Sequence, residues 1–262
     1  MAKLPLTRDM GNLQTLRSLL GPASSVDLVF VAIDFERPQF IINHFQHGRL
    51  DTQVGLAILD TRNLCSTSKF TTLNFIIGED AYFNESAPLY RWGTAEKSLS
   101  RACYQRLMTA FVSIKTGGII LVGHGASNDL AALKSLGFDF QENMVIAKLD
   151  TYLLARELQM GDLTLKNLLM ELKCPCNLKF HNAGNDKNFT LRALLLLGIK
   201  AIGAAESNET SERVEILWWV AMEEVLSRKR KRCIRRKAAK TRTLEEQEEI
   251  RAKRRQHREL YG

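Results

Sequence analysis

Val26 to Ile33 are almost all apolar and largely β-branched, and the run ends in charge at Asp34. That is the pattern of a strand buried on both faces. TQVGLAILDT (52–61) and FTTLNFII (70–77) read as second and third strands, the latter with partial alternation. Between Gly78 and Thr94 no period holds, and a loop is expected. From Glu96, apolar residues recur at Leu99, Ala102, Cys103, Leu107, Ala110, Phe111 and Ile114, which is helical spacing. Gly117-Gly118 ends that helix, and IILV (119–122) is a short strand running into GHGASND.

The second half alternates. A helix over Leu130–Leu136 stops at Gly137, MVIAKLDT (144–151) is a strand, and LLAREL (153–158) is a helix. Asp162 or Thr164 caps the next helix, whose stripe is Leu165, Leu168, Leu169 and Leu172. After the polar stretch KFHNAGNDKNF (179–189) a helix starts at about Asp186. GAAESNETSE (203–212) is a polar linker, and Val214, Leu217, Trp218, Ala221 and Val225 share one helical face. On this pattern Trp218 is a packing residue, while Trp219 falls off the stripe. Strands first, then alternating helix and strand, indicate a layered α/β domain with a mixed central sheet flanked by helices. The expected divisions are an extension (1–25), the domain (26–202), a linker with a helix (203–227) and a tail (228–262).

Composition changes this picture only at the C-terminus. The 262 residues are 45% hydrophobic, enough for a sizeable core. No apolar run approaches the ~20 residues that cross a bilayer, and the start lacks a secretory h-region, so an intracellular protein without a membrane is expected. Five cysteines without framework spacing fit a reducing compartment. The net charge of +8 is concentrated. Residues 228–262 hold 15 of the 37 Lys+Arg and 5 of the 29 Asp+Glu, leaving 22 basic against 24 acidic groups elsewhere. RKRKRCIRRKAAK (228–240) is dense enough to bind phosphate backbones or a nuclear import receptor, so a nuclear or nucleo-cytoplasmic location is expected. Glu249 with Lys253, and Arg255 with Glu259, would support a helix in this tail.

Four acids stand at element ends. Asp34 and Glu36 lie two apart at the end of the first strand, and a period of two puts them on one face. Asp129 follows the fourth strand at a helix start, and Asp186 begins the helix after the polar loop. Each alone has a plain structural use, as a turn residue or an N-cap. Together they form a set of hard oxygen donors suited to Mg²⁺ or Mn²⁺. Two such ions about 4 Å apart activate a water and stabilise the leaving oxygen of a phosphodiester. His181, five residues before Asp186, would supply a general base near neutral pH.

Three stretches, IDFE (33–36), GHGASND (123–129) and HNAGND (181–186), resemble the exonuclease motifs of the DEDDh 3′–5′ exonucleases, an RNase H-like family. The likeness spans about residues 26–200 and extends to LDTYLLARELQMGDLTLKNLLMEL (149–172). It is similar in flavour to a fungal branch of RNase H-like proteins linked by name to mRNA export. The resemblance implies an RNase H-like fold and a metal ligated by Asp34, Glu36 and Asp186. It implies a second ion on Asp34, supported through water by Asp129, with His181 as the base. The implied product is a nucleoside 5′-monophosphate from a 3′ end of single-stranded nucleic acid, RNA before DNA. Arg37-Pro38 stands where the family has Thr, and Gly125 and Asn128 replace the Asn and aromatic of motif two. Phe35 and Arg37 are the expected substrate contacts. The rival expectation is a silent RNase H-like module that binds RNA or an RNP protein without cutting.

Two other sites are weaker. Cys174-Pro-Cys176 with His181 falls short of four zinc ligands at the usual spacing. GHGAS lacks the last glycine of a nucleophile elbow, since Asp129 stands there.

Overall fold

A computed structural model describes residues 11–21, 28–42, 51–62, 64–98, 105, 109, 118–142, 144–176, 180–202, 212 and 214–222. A compact unit runs through Met222. The linker stretch 203–211, the insert residues 43–50 and the basic run 228–240 lie outside the described residues.

The elements, in chain order, are α1 (Asn12–Leu20), β1 (Leu28–Glu36), α2 (Gln39–Ile42), β2 (Thr52–Asp60) and β3 (Thr71–Ile77). Then come α3 (Asp80–Ser86), a 3₁₀ turn (Ala87–Leu89), β4 (Glu96–Lys97), β5 (Gly118–Gly123) and α4 (Ser127–Ser135). The last are β6 (Val145–Asp150), α5 (Thr151–Glu157), α6 (Leu165–Glu171) and α7 (Ala183–Ile202). Six strands form one mixed sheet in the order β4-β3-β2-β1-β5-β6. β1–β2 and β2–β3 are antiparallel hairpin neighbours, whereas β1–β5 and β5–β6 are parallel.

β1 sits inside the sheet, which is why it reads as a continuous apolar run. Its Val29, Val31, Ile33 and Phe35 pack with Val54, Leu56, Leu121 and Leu133 on one face. Leu28, Phe30 and Ala32 are buried as well, and α7 packs across β1 and β2. α7 mixes polar and apolar residues as far as Arg192 and is leucine-rich beyond it, and all but three of its twenty residues are buried. α1 packs on α7 and α5, and its first turn is capped from outside: Asn12 and Leu13 N–H donate to Glu157 at 3.2 and 2.7 Å.

Several expectations need correction. The stretch 78–94 is not all loop. Asp80–Ser86 is helical because Tyr82 and Phe83 close over Ile76 and Tyr90, a contact too short in sequence to show a period. The helix expected from Glu96 starts later, since Glu96-Lys97 pair with Phe75-Ile76 as β4. Gln105 and Thr109 are helical, and most of that segment lies outside the described residues. Thr164, not Asp162, caps α6, accepting from Asn167 N–H at 3.3 Å; Asp162 pairs with Arg156. α7 begins at Ala183, three residues before the expected start. Leu217 and Ala221 are buried, while Trp218 is 38% exposed and lies edge-on to Trp219. Among the described residues no helix is long and apolar enough to cross a membrane.

Candidate metal centre

Three elements deliver the acids. β1 ends with Asp34 and Glu36 on the α7 side, opposite Gly55 and Gln53 of β2. α4 carries Asp129 in its first turn, and α7 carries Asp186 in its own. One ligand atom each from Asp34, Glu36 and Asp186 lie within 4.8 Å of one another. Asp129 is tied to the same strand end, for its Oδ1 accepts the Phe35 N–H at 3.0 Å.

The start of α7 is set against the sheet by a polar clamp. Asn182, fully buried, accepts from Asn185 N–H at 3.2 Å as the N-cap and donates to Gln53 Oε1 at 2.9 Å. Gly184 N–H donates to Asn74 Oδ1 at 3.1 Å. The small residues of the motif have a steric reason. A Cβ at Gly55 would stand 2.1 Å from the Ala183 backbone, and one at Gly184 would meet the Tyr90 ring and Asn74. His181 precedes the cap with φ 65°, and its N–H donates to Asp186 Oδ2 at 3.0 Å. A non-glycine residue held at positive φ beside a carboxylate cluster stores local strain at the candidate site.

The electrostatics are those of crowded carboxyls out of water. Burial, then the charges of Asp34 and Glu36, push Asp186 up to about 8. Burial, followed by Asp34, raises Asp129 to about 7 against the pull of Lys187. Glu36 is raised by burial and then by Asp34. Lys187 stands inside the cluster, 2% exposed, with Nζ 3.1 Å from Asp34 Oδ1 and 4.0 Å from Asp129 Oδ2. Burial pulls its pKa down, and the charges of Asp34 and Asp129 outweigh that, so it lies above the ordinary lysine value.

These residues fit a divalent ion. The buried Asp186 Oδ1 has no hydrogen-bond partner among the described residues, a costly condition for a carboxylate oxygen unless a cation faces it. The donors are all oxygens, and opposite ligands of Mg²⁺ stand roughly 4 Å apart. Cys174-Pro-Cys176 fits no such role: Cys174 is buried and its thiol is pushed up to about 11, and neither cysteine joins a metal-sized group among the described residues.

Of the expected site residues, Asp34, Glu36 and Asp186 meet directly. Asp129 joins through Phe35 N–H and Lys187, and His181 lies at the rim with an exposed side chain. Phe35 is the correction. Alternation along β1 turns its side chain into the core, 3% exposed, and only its N–H serves the site. Arg37 is exposed at φ 62°, its guanidinium 5.5 Å from the Tyr82 ring centre. Sequence reasoning missed Lys187, Gln53, Asn74 and Asn182. Lys187 had one signal, its place directly after Asp186 in the first turn of the helix that carries that acid.

The sequence profile of the family described as DEDDh_C, DNA polymerase III subunit epsilon-like, C-terminal domain, matches residues 29–197, well over half of the chain. No curated protein sequence matches it. Among solved structures, the Mg²⁺- and Mn²⁺-bound form of Pop2p from S. pombe is similar at 12% identity and a TM-score of 0.39, over 72% of this chain and 89% of that one. A likeness of that size carries no argument about chemistry. The family profile, the ordered motifs and the mixed sheet agree, and the chain belongs to the DEDDh exonuclease family, DNA polymerase III subunit epsilon-like, of the RNase H-like superfamily.

Proposed function

We propose that this chain is a divalent-metal-dependent 3′–5′ exonuclease that hydrolyses single-stranded nucleic acid, RNA in preference to DNA, to nucleoside 5′-monophosphates. The observation that carries the reading is the triad Asp34, Glu36 and Asp186, with one buried Asp186 oxygen lacking any other partner among the described residues. When bound there, Mg²⁺ or Mn²⁺ supplies an acidified water and positive charge for the phosphoryl oxygens. His181, exposed at the rim and fixed through its N–H to Asp186, takes the proton of the attacking water. Asp129 holds the end of β1 in place through Phe35 N–H, so that Asp34 and Glu36 present to one point. Of the two ions implied by the family resemblance, the first has three carboxylate ligands here.

Arg37 at the mouth provides a cation for a substrate phosphate. RNA is placed before DNA because the sequence is similar to a branch linked by name to mRNA export. The basic run 228–240 is taken as a phosphate-backbone arm and as an import signal, and hence a nuclear or nucleo-cytoplasmic location.

A second reading, a silent RNA- or RNP-binding module, is favoured by one observation. Lys187 already offsets part of the cluster's negative charge without any metal. 5′-Labelled single-stranded RNA and DNA of one sequence, incubated with Mg²⁺ or Mn²⁺, separate the two. The exonuclease shortens the label stepwise from the 3′ end, and EDTA, Asp34→Ala or His181→Ala stops it. An unshortened label in the wild type, with salt-sensitive binding indifferent to Asp34, would establish the silent module instead.

A further inference from the structure

We infer that Lys187 occupies the place of a second metal ion, so that this site takes one divalent cation and a fixed ammonium. The inference rests on the metal-dependent reading above. A second ion would have to share Asp34 and lie toward Asp129. Lys187 Nζ stands there already, 3.1 Å from Asp34 Oδ1 and 4.0 Å from Asp129 Oδ2. The packing encloses the ammonium. The side chain is 2% exposed and rises from the first turn of α7, one residue after Asp186. That turn is locked by Asn182, Gln53 and Asn74. A divalent ion entering the same space would meet a unit charge at contact distance in a poorly hydrated pocket, where repulsion is several-fold stronger than in water.

Asp129 gives an independent indication. Its Oδ1 is committed to the Phe35 N–H and its Oδ2 points toward Lys187. The metal-sized group of ligand atoms comprises Asp34, Glu36 and Asp186 without it. The ammonium therefore supplies positive charge on the Asp129 side of the reacting phosphate, while the water is activated at the triad. Lys187 is a positioning and charge-supplying residue here, and Asp129 is its partner rather than a metal's.

The test counts ions. Full-length protein stripped with EDTA and dialysed is titrated with Mn²⁺, and free Mn²⁺ is read from its EPR signal. One Mn²⁺ per chain is expected for the wild type, without the signal of a coupled ion pair. Lys187→Met should bind two and show that signal. Asp129→Asn, which keeps an acceptor for Phe35 N–H, should still bind one with affinity changed less than about threefold. Two ions in the wild type would overturn the inference and leave the exonuclease reading standing. None in the wild type would overturn both. A single ion in Lys187→Met, or a lost ion in Asp129→Asn, would overturn the role assigned to the lysine, and the Asp129 variant decides the matter even if Lys187→Met fails to fold.

Discussion

The Asp186 carboxyl meets opposed demands: it must be ionised to hold a cation, yet burial and its neighbours favour the proton, with a pKa of about 8. The folded value is raised above the ordinary 3.8, so the metal-free fold binds more protons than the unfolded chain between those limits. Its contribution to stability is fully present below about pH 4 and is lost as pH rises through about 8. Asp129, raised to about 7, acts in the same direction. Thermal melts of the metal-free protein should therefore fall by on the order of 10 °C between pH 5 and pH 8, other titrations aside. Saturating Mn²⁺ should reduce that fall, because the ion replaces the proton. Asp186→Asn keeps an acceptor for His181 N–H and removes the buried charge. Its melt should lose the stabilisation by Mn²⁺ and keep only the smaller pH slope that Asp129 contributes; an unchanged Mn²⁺ shift would place the ion elsewhere. The acids were legible in the sequence because each stands at the end of an apolar strand or the start of a helix. Lys187 was not, because one lysine among the polar residues of a helix's first turns reads as solvent-facing until the helix is seen enclosed. Phe35 was misread for a related reason, since its place between two acids hid the alternation that turns it inward.

At the scale of elements, the site depends on how closely α7 approaches β2. Gly55 faces Asp34 across the β1–β2 ladder, and the absence of its side chain lets the Ala183 backbone lie against the sheet. Gly55→Ala places a methyl group into backbone, which cannot rotate away, and should cost about 3 kcal/mol in denaturant melts and weaken Mn²⁺ binding. Asn182→Ala removes the N-cap and leaves Gln53 Oε1 only the longer hydrogen bond from Ala183 N–H at 3.4 Å, so a loss of about 1–2 kcal/mol is expected. A loss below the ~0.5 kcal/mol typical of surface changes would show that the clamp does not hold the helix. Long elements with an extended apolar run, β1, β2 and α7, were legible to within a few residues. α3 and β4 were not. One has seven residues and the other two, and both form because of what they touch rather than because of their own pattern.

Across the whole molecule, a near-neutral body carries the acids and a strongly basic segment follows it in sequence. The α/β class was legible from the order of strands and helices, but the strand order was not. β5 pairs beside β1 across more than eighty residues of chain, a pairing no local pattern records. Charge division between body and tail implies separable tasks. Removal of residues 228–262 should weaken binding to single-stranded RNA and flatten its salt dependence, by roughly 0.7 in log–log slope for each phosphate that the segment neutralises. Mn²⁺ stoichiometry should not change. Equal salt slopes with and without the segment would show that it does not touch the phosphates. The most direct test of the central claim is anomalous scattering from a crystal soaked in Mn²⁺. One peak bonded to Asp34, Glu36 and Asp186, with Lys187 still beside Asp34, is the result predicted; a site without Mn²⁺, or a peak remote from these carboxylates, would contradict it.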